Sequence, residues 1–112
     1  MKKISFVIPC YRSENTLEHV VSDIEVTMKQ TEMATAYTFE IILINDCSPD
    51  HTLEVIRKLC AEKEFVKGIA FSRNFGQHAA LMAGLRQANG DYVVCLDDDG
   101  QTPAEEVNKL LA

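Results

Sequence analysis

The sequence predicts an α/β fold, a parallel sheet with helices on both faces. Four short apolar runs alternate along the chain with segments of helical period, and the runs are apolar throughout, as is typical of strands covered on both sides. This alternation favours right-handed crossovers, which bring the carboxyl ends of all four strands to one edge of the sheet. The 112 residues, 46% hydrophobic and 25% charged, fit one soluble domain.

The first strand is predicted over residues 4–8, ISFVI, and we expect Pro9 to end it. A helix follows, and Asn15 and Glu18 have the spacing of a capping box at its start. The apolar stripe of this helix is formed by Leu17, Val20, Val21, Ile24 and Met28.

The second strand is predicted over residues 39–44, FEIILI, and a polar turn follows it. Ser48 is a good N-cap and Pro49 suits the first helical position, so we expect the second helix to begin there. Its buried stripe is predicted to be Leu53, Ile56, Leu59 and Cys60.

The second half of the chain has the same order of elements. We predict a third strand over 66–72, a third helix over 76–88 and a fourth strand over 92–96. Pro103 is expected to open a final helix. Small residues give the third helix a narrow face for close packing: Ala79, Ala80, Ala83 and Gly84. The inward residues of the final helix are predicted to be Val107, Leu110 and Leu111.

Charge and cysteine usage argue against several classes of protein. Eleven Lys and Arg against seventeen Asp and Glu give a net charge of −6 at pH 7, with the basic residues scattered, so nucleic-acid binding is disfavoured. The four cysteines form no CxxC pair that could begin a zinc site, and we expect reduced, mostly buried thiols. No apolar run reaches the roughly 20 residues that a membrane helix needs. We therefore expect a cytoplasmic protein, or one at the cytoplasmic face of the membrane in a longer form.

The most informative segment is LDDDGQ, in which three carboxylates directly follow the fourth predicted strand. Carboxylates this close repel one another unless a cation lies between them. Asp97 and Asp99 can turn toward one ion while Gln101 offers a neutral oxygen, a ligand set that suits Mg²⁺ or Mn²⁺. Such a metal typically takes a substrate diphosphate as a further ligand. The alternative is a solvated acidic turn whose aspartates cap the helix predicted at Pro103.

Four segments of the chain match a known pattern in order and spacing. FVIPCYRSEN resembles an opening strand and loop, INDCSPDHT a second acidic turn, FSRNFGQHAALMAGLRQANGDYVV a third helix and fourth strand, and LDDDGQTP a metal-binding DxD segment. Together they resemble the inverting nucleotide-sugar glycosyltransferases of family 2, which have the Rossmann-like GT-A fold. The RNFGQHAALMAG stretch is most like that of the polyprenyl-phosphate sugar transferases.

The resemblance implies a reaction and a set of site residues. The reaction is metal-dependent transfer of a sugar, with inversion, from a UDP-type or GDP-type donor to a hydroxyl or a lipid phosphate, in cell-wall or surface polysaccharide biosynthesis. For the nucleoside, the resemblance implies that Pro9, Tyr11 and Glu14 line the pocket of base and ribose, that Asp46 accepts a hydrogen bond from the base, and that Asp98 lies near the ribose. For the diphosphate, it implies that Arg73 contacts a phosphate. The metal would be held by Asp97, Asp99 and Gln101.

This chain departs from the family pattern at three of its positions. Arg12 stands where the family often has Asn, and Asn45 and Cys47 flank Asp46 where it often has Asp and Gly. The identity of the base, like that of the sugar, therefore stays open.

Each implied role also has a plainer alternative. For Tyr11 it is packing over the start of the first helix, and for Glu14 an interaction with that helix's dipole. For Asp46 it is acceptance of hydrogen bonds within its own turn, and for Arg73 an ion pair with a neighbouring carboxylate.

The resemblance places the general base beyond residue 112. We therefore expect residues 1–112 to be one domain, the N-terminal donor-binding part of a longer enzyme, which binds a nucleoside diphosphate weakly and turns over no sugar donor by itself. Oligomeric state stays open.

Other functions remain as alternatives. A haloacid-dehalogenase-type phosphatase or a phospho-receiver domain also binds Mg²⁺ through carboxylates, but carries them after its first strand, where this chain has Pro9, Cys10 and Tyr11. A non-enzymatic α/β binding module is the other alternative.

Overall fold

A four-stranded parallel sheet forms the centre of the protein, as predicted. The structure is a computed structural model that describes residues 2–96. Its strands are β1 (Lys2–Cys10), β2 (Tyr37–Asn45), β3 (Val66–Ala70) and β4 (Tyr92–Cys95), in the spatial order β3-β2-β1-β4. Neighbouring strands are parallel throughout. The helix predicted at Pro103 lies outside the described residues.

Helices cover both faces of the sheet, which confirms the predicted fold class. They are α1 (Leu17–Met28), α2 (Thr31–Ala36), α3 (Thr52–Glu62) and α4 (Gln77–Gln87). α1 and α3 pack on one face, and α4 packs on the other, over β1 and β2. In the part of the chain that the structure describes, no helix is long and apolar enough to span a bilayer.

The larger core lies between the sheet and α1. The whole predicted stripe of α1 is buried there, together with alternate residues of the two central strands, among them Ile4, Phe6 and Ile41. Burial of one such side chain contributes about 1.5–3 kcal/mol relative to leaving it exposed.

The smaller core lies beneath α4, which approaches the sheet closely. Val7, Ile42 and Ile44 pack there against Ala80. A Cβ atom at Gly84 would lie 2.4 Å from Val7 Cγ1 and 2.8 Å from Ile44 Cδ1. Of the small residues predicted for this helix, Gly84 is therefore required by the short distance to the sheet, and Ala80 is fully buried against it.

The prediction that Pro9 ends the first strand is wrong. β1 continues to Cys10, and Pro9 pairs with Ile44 of β2. Alternate residues of a strand direct their backbone groups to the same neighbour. The carbonyl of Val7 accepts a hydrogen bond from the amide of Leu96, next to β4, so the nitrogen of Pro9 faces that side as well. Proline is tolerated because β2 needs no donor from this position.

The predicted capping box at the start of α1 does not form. The N-cap residue is Thr16, which makes no side-chain hydrogen bond to the helix. The amides of Thr16 and Leu17 instead donate to the carbonyl of Ser13, at 3.1 and 3.0 Å. Glu18, predicted to cap with Asn15, forms an ion pair with Lys58 of α3 at 3.0 Å.

The second predicted helix begins later than expected, at Thr52 rather than after Ser48. Asp50 supplies the reason, because its carboxylate accepts the amide of Thr52 at 3.1 Å. Ser48 and Pro49 therefore belong to the loop before α3.

Three further expectations need correction. α2 was not predicted from the sequence, and β3 ends before the predicted Ser72. All four cysteines are free, but Cys47 and Cys95 are exposed, so the prediction of mostly buried thiols is wrong for these two.

Candidate functional site

The strands end in loops at one edge of the sheet, which we call the rim. Loop 1 is residues 11–16, after β1. Loop 2 is residues 46–51, after β2, and loop 3 is residues 71–76, after β3. Ligands of open parallel sheets bind at this edge. Pro9 lies half-buried in β1 just before loop 1.

Loops 1 and 2 are hydrogen-bonded to each other and to the start of α3. A backbone amide donates to a side-chain oxygen in each contact: Arg12 N to Ser48 Oγ (2.8 Å), Ser13 N to Thr52 Oγ1 (2.9 Å) and His51 N to Glu14 Oε2 (3.3 Å). Glu14, assigned to the nucleoside pocket by resemblance, therefore also connects the two loops. Amides fixed by side chains hold a loop in one conformation, which favours a preorganised site.

Asp50 organises this connection. The hydroxyls of Ser48 and Thr52 each donate to its Oδ1 at 2.5 Å. Burial raises the pKa of Asp50, but these two hydroxyls and the Thr52 amide outweigh that effect and lower the pKa to about 2. Sequence reasoning missed this cluster, although the alternating polar residues of SPDHT are the signal that could have indicated it.

Asp46 connects loop 2 to loop 3. It is 3% exposed, and its Oδ1 and Oδ2 accept the amides of Phe75 and Gly76 at 2.7 and 2.9 Å. Its own amide donates to the carbonyl of Cys10 at 3.1 Å. Within the described residues, the carboxylate of Asp46 thus accepts backbone amides of loop 3, about 30 positions further along the chain, rather than amides of its own turn.

Two arginines stand on aromatic rings at the rim. The guanidinium carbon of Arg12 lies 5.6 Å from the ring centroid of Tyr11, and that of Arg73 lies 4.6 Å from that of Phe75. Both arginines are exposed, and neither forms an ion pair within residues 2–96. In a chain of net charge −6, two such cations at one edge favour an anionic ligand.

Two of the residues that depart from the family pattern, Arg12 and Cys47, have unusual backbone conformations. Arg12 has φ 55° and Cys47 has φ 51°, both left-handed. Asn and Gly, which the resembled family often has there, adopt this region most easily. The structure therefore gives a backbone reason for the family's residues, and shows that Arg12 and Cys47 are held against their own preference.

The predicted metal ligands Asp97, Asp99 and Gln101 lie outside the described residues. The same is true of Asp98, which the resemblance places near the ribose. Within residues 2–96 no group of three or more His, Cys, Asp or Glu is arranged to hold a metal ion. Asp46, a buried carboxylate of the rim, accepts one backbone amide at each of its two oxygens. The donor set of the DDDGQ segment, carboxylates and an amide, fits a hard dication.

Solved structures with the same fold include two glycosyltransferases. TarS 1-349 of S. aureus has a TM-score of 0.74 at 23% identity, covering 98% of this chain and 31% of TarS. The mannosyltransferase PcManGT of Pyrobaculum calidifontis has a TM-score of 0.77 at 20% identity, covering 99% of this chain and 33% of that protein. These similarities confirm the GT-A fold.

Curated relatives are more similar in sequence. The undecaprenyl-phosphate 4-deoxy-4-formamido-L-arabinose transferase of Proteus mirabilis is 38% identical over 113 residues, and that of Aeromonas hydrophila is 40% identical over 112. The matches cover 100% and 99% of this chain but 33% of each relative, so the chain spans about a third of their length. The family described as Glycosyl transferase family 2 matches residues 5–112. The chain therefore belongs to glycosyl transferase family 2.

Proposed function

We propose that the chain is the donor-binding part of a glycosyltransferase that moves a sugar from a nucleoside-diphosphate sugar to a lipid phosphate, with inversion. The observation that carries this proposal is the rim, where loop 2 is hydrogen-bonded to both loop 1 and loop 3. These loops present a tyrosine ring and two arginines that form no ion pair within residues 2–96. The acidic DDDGQ segment directly follows the last described residue, Leu96. A nucleoside diphosphate has a base that stacks and phosphates that bind cations, which matches these groups.

Within this proposal, each part of the donor has candidate residues. Tyr11, Pro9 and Glu14 lie nearest to the nucleoside, and Asp98 to its ribose. Arg73 contacts a phosphate. Its guanidinium stacks on the ring of Phe75 through one face, so its N–H edge stays available for that contact. Asp97, Asp99 and Gln101 would hold Mg²⁺ or Mn²⁺, and the bound ion would supply Lewis-acid chemistry that offsets charge on a diphosphate leaving group.

The names of similar proteins support the donor and the acceptor. One TarS structure is a complex with UDP, and the PcManGT structure contains GDP-Man and Mn²⁺. The curated relatives are named for undecaprenyl-phosphate. We infer a polyprenyl-phosphate acceptor from these names, and we assign its binding, with the general base, to chain outside residues 1–112.

Thermal unfolding with UDP or GDP tests donor binding. We expect each metal–nucleotide combination that binds to raise the melting temperature, because a ligand at a hundredfold excess over its Kd stabilises the folded state by about 2.7 kcal/mol. Chelation of the metal should abolish most of the increase. Arg73→Ala should reduce the increase in melting temperature. Arg86→Ala is the control and should leave the increase unchanged, because Arg86 is an exposed arginine in the last turn of α4.

The outcome that contradicts the proposal is equally plain. If neither nucleotide changes the melting temperature in the presence of Mn²⁺ or Mg²⁺, the chain is not a donor-binding part. A metal-independent increase, equal in wild type and Arg73→Ala, would indicate a binding module of another kind.

A further inference from the structure

The carboxylate of Asp50 turns two hydroxyl groups into acceptors for loop 1. Ser48 and Thr52 each donate their hydroxyl proton to Oδ1 of Asp50 at 2.5 Å. A hydroxyl group has one proton, and an ionised carboxylate can only accept. Both hydroxyl oxygens therefore face loop 1 with their lone pairs, and they accept the amides of Arg12 at 2.8 Å and Ser13 at 2.9 Å. The charge of Asp50 thus fixes the direction of both contacts.

Ser13 passes this constraint on to the backbone of Tyr11. Ser13 is 1% exposed, and its hydroxyl lies between the two backbone polar groups of Tyr11. It accepts the Tyr11 amide at 3.1 Å and donates to the Tyr11 carbonyl at 3.2 Å. The amide of Ser13 is itself bound to Thr52. Tyr11 is therefore connected to Asp50 through two intervening residues.

The residue between Tyr11 and Ser13 needs this support. Arg12 has φ 55°, a left-handed conformation that a residue with a side chain keeps only when its surroundings enforce it. The bond from its amide to Ser48 enforces it here. The guanidinium of Arg12 lies 5.6 Å from the ring centroid of Tyr11, so a change in the Arg12 backbone would also move a group that packs on this ring.

We propose that Asp50 is a positioning residue, which holds loop 1 so that the ring of Tyr11 is in place for the base before the donor binds. The proposal deepens the function proposed above and rests on it. The Tyr11 ring is suited to this contact because the residue is 42% exposed, and bases stack on aromatic side chains. A loop that is already in its binding conformation loses less entropy when the ligand binds, and this raises affinity.

Two kinds of probe separate this role from a general effect on the rim. UDP and GDP have a base, whereas inorganic pyrophosphate has the phosphates alone, and each is measured with Mn²⁺. We expect Asp50→Asn to weaken binding of the nucleotides roughly tenfold and binding of pyrophosphate by less than about twofold. In a Tyr11→Ala background, Asp50→Asn should cause no further loss, because the ring that Asp50 positions is absent.

Glu54→Gln is the matched control, because it removes a charge of the same sign near the start of α3. The side chain of Glu54 is 71% exposed and pairs with His51 at 3.1 Å. Within residues 2–96 it makes no hydrogen bond to loop 1. We expect the affinities of this variant for all three probes to stay within about twofold of wild type.

Hydrogen exchange of the wild-type protein tests the same claim without any substitution. The amides of Arg12 and Ser13 should exchange at least about tenfold more slowly than in an unstructured peptide of the same sequence, before any nucleotide is added. Fast exchange that becomes slow only when a nucleotide binds would overturn the proposal, because the donor and not Asp50 would then order loop 1.

Two results with the variants would also overturn it. One is an Asp50→Asn effect of equal size for nucleotides and pyrophosphate, and the other is an effect that adds to that of Tyr11→Ala. Failure of the wild type to bind any of the three probes would instead overturn the proposed function.

Discussion

Glu40 offers the most quantitative test of the fold, because it is a buried carboxylate near the amino ends of the strands. It is 2% exposed, and its Oε2 accepts the hydroxyl of Ser5 at 2.6 Å and the amide of Asn89 at 2.7 Å. The ammonium groups of Lys67 and Lys3 lie 2.7 and 3.6 Å from its Oε1. Glu40 thereby holds the turn between α4 and β4 onto the sheet.

The effect of removing this charge follows from its pKa. Burial alone raises the pKa of Glu40, but Lys67, Ser5, the Asn89 amide and Lys3 together lower it from 4.5 to about 2. Because one pKa unit corresponds to about 1.4 kcal/mol, the ionised carboxylate contributes about 3 kcal/mol to stability at pH 7. A lowered pKa means that this contribution is complete above pH 4.5 and decreases as the pH falls toward 2.

Urea unfolding of wild type and Glu40→Gln, followed by circular dichroism at pH 7 and pH 3, measures the contribution. We expect the variant to be less stable by about 3 kcal/mol at pH 7, and the difference to shrink by about 2 kcal/mol at pH 3. Glu64→Gln is the control, since Glu64 is exposed and its side chain makes no ion pair in residues 2–96. A variant within 1 kcal/mol of wild type at pH 7, or a pH-independent difference, would refute the reasoning.

Three substitutions test backbone and packing at and beside the rim. Gly84→Ala should lower the unfolding free energy by about 1–3 kcal/mol and move the urea midpoint to a lower concentration, because the added methyl group would overlap Val7. An unchanged midpoint would contradict the close packing of α4 on the sheet. Gly76→Ala should lower the unfolding free energy by about 1–3 kcal/mol, because φ 93° and ψ 162° are accessible essentially only to glycine, whereas no atom of the described residues other than 75–77 lies within 4 Å of the added Cβ. Cys47→Gly should raise the unfolding free energy by about 1 kcal/mol by relieving a left-handed residue, and a loss of stability would contradict the backbone assignment.

The alternation of strands and helices was predictable because each element has its own local pattern. The stripe of α1 depends on residues a few positions apart, and the structure has it as predicted. The order of the four strands is also as predicted, but only β1 and β2 are buried over most of their apolar runs. The expectation of cover on both faces is wrong for β3 and β4, most of whose residues are exposed at the two edges of the sheet. Helix starts were less predictable. Several polar residues before α3 compete for the same amides, and Asp50 rather than Ser48 accepts the amide of Thr52.

The contacts of Asp46 at the rim and of Glu40 near the opposite end of the sheet could not be predicted, because they join distant parts of the chain. Asp46 binds amides that lie 29 and 30 positions away, and Glu40 combines partners 35 and 49 positions away. Backbone amides leave no trace in the sequence, so neither carboxylate could be paired in advance. The left-handed conformations of Arg12 and Cys47 were equally hidden, because neither residue type indicates such a turn.

The most direct test of donor binding at the rim is paramagnetic broadening of amide NMR signals by Mn²⁺ in the presence of a nucleoside diphosphate. We predict strong broadening at Tyr11, Asp46 and Arg73, and little at Lys3 and Asn89, which lie toward the opposite end of the sheet. Broadening that is uniform over the chain, or strongest near Lys3 and Asn89, would contradict the assignment of the rim as the donor site.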